Sequence, residues 1–231
     1  MQGRQAALYS ARLTWKETLV RRIESMHTPW LEIPLEDYEA HMSLPSVGQA
    51  QMLAEQLGRM VALHAPRSVA VVGCAGGNGL DRLESPCVKR VVAVDINPHY
   101  IAACRSRYAN RLPNLELVCA DVESGQMQFE PVELIYAALI FEYTDTFATL
   151  AALKRNLRAG GTLVSVLQLT HSELPAITPS AYTSLMALAS AFRPIVPADL
   201  CACASAAGFE LAGSNPINLR SGKQFLVQTF T

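Results

Sequence analysis

The sequence predicts an α/β fold, a doubly wound and mostly parallel sheet of seven strands closed by an antiparallel C-terminal hairpin. Three observations carry that expectation. The β-branched run 69–72 breaks into a glycine-rich loop, Gly73 to Gly79, and resumes as a helix-like pattern. A second β-branched run, 91–94, ends on Asp95 at what would be a strand tip. Strand-like and helix-like segments then alternate to residue 169, the pattern of parallel strands joined by helical crossovers.

Taken in order, residues 13–27 carry Leu13, Leu19, Val20 and Ile23 among charged side chains and predict an amphipathic helix. Residues 27–45 hold Pro29, Pro34 and Pro45, which break regular structure, together with Trp30, Tyr38, His41 and Met42. Such side chains must lie on something, as a lid over a ligand or as a strap against the core. Residues 1–45 are therefore read as an N-terminal helix with a lid or strap, and 46–231 as the ligand-binding domain.

Ser46-Val-Gly-Gln49 has the spacing of a capping box opening a helix to about residue 63, with Leu53, Leu57, Met60, Val61 and Leu63 as its apolar stripe. A strand over 68–72, the glycine loop, a first crossover helix from about Asn78 and a strand over 90–94 follow. Asn97-Pro98 supplies an N-cap and a proline at the first helical position, for a helix to about residue 110. The third strand is expected at 115–120, and the fourth at 132–139 is nearly all apolar, as in a strand covered on both faces. A helix over 146–158 ends at Gly160-Gly161, and the fifth strand runs over 162–169. Pro175 and Pro179 mark an insertion, 171–197 in all, with a helix over 180–192 capped by Thr178. A helix over 197–207 stops at Gly208, and 209–213 with 223–229 form the closing hairpin.

With 231 residues, 50% of them hydrophobic, the chain has material for one large domain and its core. A net charge of −1, with no basic cluster larger than Arg21-Arg22 or Lys89-Arg90, argues against a nucleic-acid partner. No apolar run reaches the roughly 20 residues that span a bilayer. The start lacks the apolar region of a signal peptide, so a cytoplasmic protein without membrane contact is expected. The six cysteines lack CxxC spacing and are read as reduced and mostly buried, with neither a disulfide framework nor a metal site.

Glycines 73, 76, 77 and 79 allow the backbone to approach a bound molecule closely, and the N–H groups opening a following helix attract an anion or acceptor. A carboxylate at the neighbouring strand tip is placed to accept two ribose hydroxyls. The ligand is therefore expected to carry a nucleoside. A dinucleotide would require G-x-G-x-x-G, which Ala75 and Arg82 break, so a nicotinamide-dependent oxidoreductase is the weaker alternative.

Five stretches together, Val71 to Gly79, Val91 to Asn97, Cys119 to Val122, Leu134 to Tyr143 and Leu157 to Val164, resemble in order and spacing the motifs of the class I S-adenosylmethionine-dependent methyltransferase family. The resemblance spans about residues 66–230. It implies a Rossmann-like methyltransferase fold and S-adenosylmethionine as cofactor. It implies that the loop bearing Gly73, Cys74, Ala75, Gly76 and Gly79 lies along the methionine and ribose, that Asp95 accepts the ribose hydroxyls, and that Asp121 with the Val122 backbone recognises adenine. Ile96 and Ala138 complete the implied cofactor contacts. The family often has an acidic residue where Val71 stands and a glycine where Ala75 stands; the missing polar support either lowers affinity or passes to the N-terminal segment, where Tyr38 and His41 are available.

Methyl transfer is an in-line displacement at a sulfonium, so positioning dominates and a base is needed only for a poorly nucleophilic acceptor. The family's amino-directed signature, Asn/Asp-Pro-Pro-aromatic, is replaced by Ala137 to Glu142, which argues against a nucleobase or glutamine nitrogen as acceptor. Glu142 and His171 are the candidate bases, against the alternatives of a surface carboxylate and a loop histidine. Trp30, Tyr38, His41, Tyr143, Tyr182 and Met186 are candidates for the acceptor pocket or lid, and the apolar insertion serves equally as the face of a homodimer. The expected acceptor is a small, partly apolar molecule. A competing reading keeps fold and cofactor without transfer, as a binding or regulatory protein.

Overall fold

Val69, Val71, Val91, Ala93, Leu134 and Tyr136 pack into one buried cluster, while Ala70, Val72, Val92, Val94, Ile135 and Ala137 pack into another. Alternation with a period of two places these clusters on opposite faces of a sheet that is covered on both sides. The computed structural model describes residues 28–171 and 173–231; the helix expected over 13–27 lies outside them.

In chain order the elements are α1 (Leu35–Ser43), α2 (Gln49–His64), β1 (Ser68–Val72), β2 (Arg90–Asp95), α3 (Pro98–Tyr108), β3 (Leu115–Cys119) and β4 (Val132–Ala138). There follow α4 (Thr146–Arg155), β5 (Leu157–Gln168), α5 (Leu188–Ala191), α6 (Pro197–Ala206), β6 (Leu211–Asn218) and β7 (Gln224–Phe230). The strands form one seven-stranded sheet in the order β3-β2-β1-β4-β5-β7-β6. All pair in parallel except β7, which is antiparallel to both neighbours. Leu53, Leu57, Met60 and Val61 of α2 join Ile101 and Cys104 of α3 on one face. Leu150 and Leu153 of α4 join Leu200 and Ala204 of α6 on the other. A third cluster, Ile33, Leu185 and Leu188 with Trp30, Tyr38, Tyr143, Ile177 and Tyr182 against them, ties the proline-rich segment to the insertion.

The doubly wound sheet and its hairpin match the expectation, and several boundaries differ for local reasons. The segment expected to be irregular contains α1, because Pro34 sits at its N-cap, where a missing N–H costs nothing. The cap of α2 is Gly48, in the left-handed region at φ 63°, and not Ser46, and Leu63 in its last turn is exposed rather than part of the buried stripe. The first crossover is a single 3-10 turn, Leu80–Leu83, in place of a helix from Asn78; its two buried leucines are three apart, which one such turn satisfies.

Helix α4 ends at Asn156, whose amide donates to the carbonyls of Met127 and Ala152. Gly160 and Gly161 therefore belong to β5, which begins at Leu157 and shifts register against β4 between Val132 and Leu134. The helix expected over 180–192 is a 3-10 turn, Thr183–Ala187, followed by the short α5, with Tyr182 rather than Thr178 at its cap. Only Leu185 and Leu188 are buried there, so nothing sustains a longer amphipathic helix. Strand β6 runs on through Pro216, tolerable at a sheet edge. All six cysteines are free; Cys74 and Cys104 are buried, Cys119 is exposed and the other three are half-buried, so fewer are buried than the composition suggested. Among the described residues no helix is long and apolar enough to cross a membrane.

Candidate functional site

The C-terminal ends of the parallel strands open onto a cavity of about 780 Å³, lined by Val72, Asp95, Ala138 and Gln168 at the ends of β1, β2, β4 and β5. It sits where the strand order reverses between β1 and β4, the topological switch point at which open α/β sheets bind ligands. Its size lies in the upper part of the range for small-molecule sites, with room for a cofactor and a second ligand.

Of the glycine loop, Gly73 and Ala75 line this cavity, whereas Cys74, Gly76 and Gly79 do not. Cys74 points into the core, its Sγ 3.8 Å from that of Cys104. Gly76 offers its carbonyl to the Arg107 guanidinium, which also pairs with Glu39. Gly79 is required by packing, since a Cβ there would come within 3.0 Å of the Ala54 backbone of α2. Ala75 holds a left-handed φ of 46°, so the loop keeps a glycine conformation without the glycine. Leu139, just past β4 on the cavity wall, is likewise left-handed at φ 55°. Strain of this kind in a bulky residue persists only where the surroundings impose it and gathers at functional sites.

Asp95 ends β2 and is nearly buried, at 8% exposure. Its Oδ2 accepts the Ala75 N–H at 2.8 Å and its Oδ1 the Asn97 N–H at 2.9 Å. Burial pushes its carboxyl up to about 6, although these N–H donors favour the ionised form. Each oxygen keeps a further lone pair for an incoming hydroxyl. Ile96 lines the cavity beside it, and so do Asp121 and Val122 after β3. Asp121 Oδ1 accepts the Glu123 N–H, which fixes the turn, and the Val122 N–H has no partner among the described residues.

The cavity is roofed by the proline-rich segment. Trp30 meets Tyr38 edge-on at 5.6 Å and Tyr143 at 5.0 Å, and Tyr143 meets Phe192 of the insertion at 5.8 Å. Asn97, whose Oδ1 caps α3, donates its amide to the Trp30 carbonyl, and the Tyr100 hydroxyl donates to the Ile33 carbonyl. His41 Nδ1 lies 2.9 Å from Ser180 Oγ, and Ser184 Oγ donates to Asp37. Burial, and then the neighbouring Lys223, lower the His41 pKa and keep its imidazole neutral. Of the acceptor-side candidates, Trp30, Tyr38, His41 and Tyr143 line the cavity. Tyr182 packs behind it and Met186 is 48% exposed, because the insertion buries Leu185 and Leu188 instead.

Neither candidate base reaches the wall. Glu142 is fully buried, its Oε1 accepting the Gln168 N–H at 2.7 Å while Oε2 is without a partner. Desolvation pushes its carboxyl up to about 7, so it holds a proton readily. His171 is exposed, its Nδ1 accepting the Glu173 N–H.

Three residues that the sequence did not single out line the cavity instead: Gln49, Gln168 and Lys223. Gln168 Oε1 accepts from Gln49 Nε2 at 3.2 Å, and Gln168 Nε2 donates to the Ala176 carbonyl at 2.9 Å. The apolar periodicity that marks a strand gives no sign of a polar residue at its last position, and Lys223 reads only as the first residue of a hairpin strand. Among the described residues no group of three His, Cys, Asp or Glu is disposed to hold a metal ion.

Residues 69–161 match the family model of a methyltransferase domain. No curated protein matches the chain. Among solved structures, a TehB-like SAM-dependent methyltransferase from Corynebacterium glutamicum is 21% identical over 75% of this chain and 85% of its own, with a TM-score of 0.54. The N-methyltransferase NodS from Bradyrhizobium japonicum is 18% identical over 78% and 94%, with a TM-score of 0.56. The glycopeptide N-methyltransferase MtfA, solved with (S)-adenosyl-L-methionine, is 16% identical over 76% and 86%, also with a TM-score of 0.56. Sheet order, switch-point cavity and solved neighbours agree: the chain has the fold of the class I S-adenosylmethionine-dependent methyltransferases, and residues 69–161 within it match the model of a methyltransferase domain.

Proposed function

We propose that the chain transfers the methyl group of S-adenosylmethionine to a small-molecule acceptor. The observation that carries this reading is Asp95, a nearly buried carboxylate on the cavity wall that is tied to the glycine loop through Ala75 and retains acceptor capacity for a ribose. In this reading Gly73 and Ala75 lie along the methionine and ribose, with Ile96 and Ala138 bordering them. Asp121 and the Val122 N–H meet the donor and acceptor of the adenine edge.

The cofactor, when bound, supplies an electrophilic methyl group on a sulfonium. The protein's part is positioning and exclusion of water, performed by the aromatic roof of Trp30, Tyr38, Tyr143 and Phe192. An acceptor that must shed a proton finds neutral His41 on the same wall, its Nε2 without a protein partner among the described residues.

Incubating the protein with methyl-labelled S-adenosylmethionine and a broad metabolite extract tests the reading: label passes to a small molecule with wild type and not with Asp95→Ala. The second reading, a cofactor-binding protein without transfer, is favoured by the absence of Glu142 and His171 from the wall. Tight cofactor binding with no labelled product would select it.

A further inference from the structure

Lys223 directly precedes β7 and is only 5% exposed, yet it lines the cavity. Its Nζ donates to the Ala176 carbonyl at 2.6 Å and to Gln168 Oε1 at 3.5 Å. An ammonium has three donors, so one is left over. No carboxylate among the described residues pairs with it. A buried ammonium facing only neutral acceptors is costly, and an incoming anion would relieve that cost.

The surrounding wall has the same bias. Gln49, bonded to Gln168, opens α2, whose first turn has no acidic residue and whose cap offers no side-chain acceptor. That helix end adds a positive partial charge. Of the cavity's carboxylates, Asp95 ends β2 and Asp121 and Glu123 follow β3, across the switch point from Gln168 at the end of β5 and Lys223 before β7; Asp145 follows β4 on the same side as these two. Apolar lining comes from Ile177, Leu185, Leu188 and Phe192 of the insertion.

We propose that Lys223 binds a carboxylate group of the methyl acceptor, so that the substrates are small carboxylic acids with an apolar body; this rests on the methyltransferase reading above. Lys223, set among neutral amides and carbonyls, matches a single negative charge, while the cavity's other cation, Arg193, has the Glu123 carboxylate near it. A dianionic phosphate would leave a charge over.

The test uses the full chain saturated with S-adenosylhomocysteine and titrated with hexanoate, benzoate and 3-phenylpropanoate, each against its primary amide. In at least one pair the carboxylate binds about tenfold tighter or better, the effect of a charge-assisted hydrogen bond. Lys223→Met abolishes that preference and leaves S-adenosylhomocysteine affinity unchanged, while Lys223→Arg keeps the preference. No carboxylate preference in any wild-type pair overturns the proposal, whether or not the variants fold. So does a preference that survives in folded Lys223→Met. A fall in S-adenosylhomocysteine affinity in Lys223→Met would give Lys223 to the cofactor's own carboxylate and overturn the assignment to the acceptor. Failure of S-adenosylhomocysteine to bind wild type would count against the methyltransferase reading, and the carboxylate and amide series, run without it, would still decide whether Lys223 selects an anion.

Discussion

Asp95 Oδ2 accepts the backbone N–H of Ala75 at 2.8 Å, so one buried carboxylate fixes the loop after β1 to the tip of β2. In the proposed reading the same group meets the ribose of the cofactor, which makes its ionisation a control on binding. Its pKa stands near 6, raised by burial, against 3.8 for the free group. Hydroxyl donors favour the carboxylate form. Affinity for S-adenosylhomocysteine is therefore expected to be about tenfold lower at pH 5 than at pH 7.5, roughly the drop in the ionised fraction. Calorimetry at the two pH values checks it, and equal affinities would remove Asp95 from the contact.

Glu142 gives a stability prediction of definite sign. Its carboxyl is raised to about 7 in the fold against 4.5 for the free group, so between those values the folded chain holds the proton that the unfolded chain has lost. Stability from this group is present below about 4.5 and falls as pH rises towards 7. Glu142→Gln keeps the acceptor for the Gln168 N–H and removes the titration. Its unfolding free energy, from chemical denaturation, is expected to depend less on pH over this window than that of wild type, by a few kcal/mol across the window. A variant as pH-dependent as wild type would contradict the assignment.

Two glycines with similar φ separate conformation from packing. Gly160, at φ 73°, has nothing near its absent Cβ, whereas at Gly79, φ 80°, a Cβ would meet the Ala54 backbone at 3.0 Å. Gly160→Ala is expected to cost about 1 kcal/mol, the left-handed penalty alone. Gly79→Ala should cost about 2 to 4 kcal/mol, because α2 must also move. Chemical denaturation of both variants measures the difference.

Ala75→Gly is the converse case. The left-handed φ of 46° is already imposed on an alanine, so glycine is expected to stabilise the fold by up to about 1 kcal/mol. Cofactor affinity should be retained, since Ala75 meets Asp95 through its backbone. A loss of stability would mean that the Ala75 methyl contributes packing that outweighs the strain.

The parts of this architecture that rest on local rules were legible in the sequence. The β-branched runs gave the central strands nearly to the residue, and Asn97-Pro98 marked the start of α3. That Asp95 lines the cavity was legible because a strand tip in a parallel sheet points at the switch point, and that Asp121 and Val122 do so was legible through the resemblance of their motif to the family's. What could not be read depended on tertiary neighbours. Gly76 and Gly79 look like ligand glycines until α1, α2 and α3 are packed against them. Glu142 and His171 follow the right strands, yet one is sealed beneath Gln168 and the other remains outside. Lys223, Gln168 and Gln49 meet across more than 100 residues of chain, and no spacing announces such a cluster.

The most direct test of the account is a calorimetric titration of S-adenosylhomocysteine into wild type and Asp95→Ala, with circular dichroism to verify that the variant is folded. The account predicts micromolar binding to wild type, on the order of −8 kcal/mol, and none to the folded variant. No binding to wild type, or equal binding to both, would contradict it.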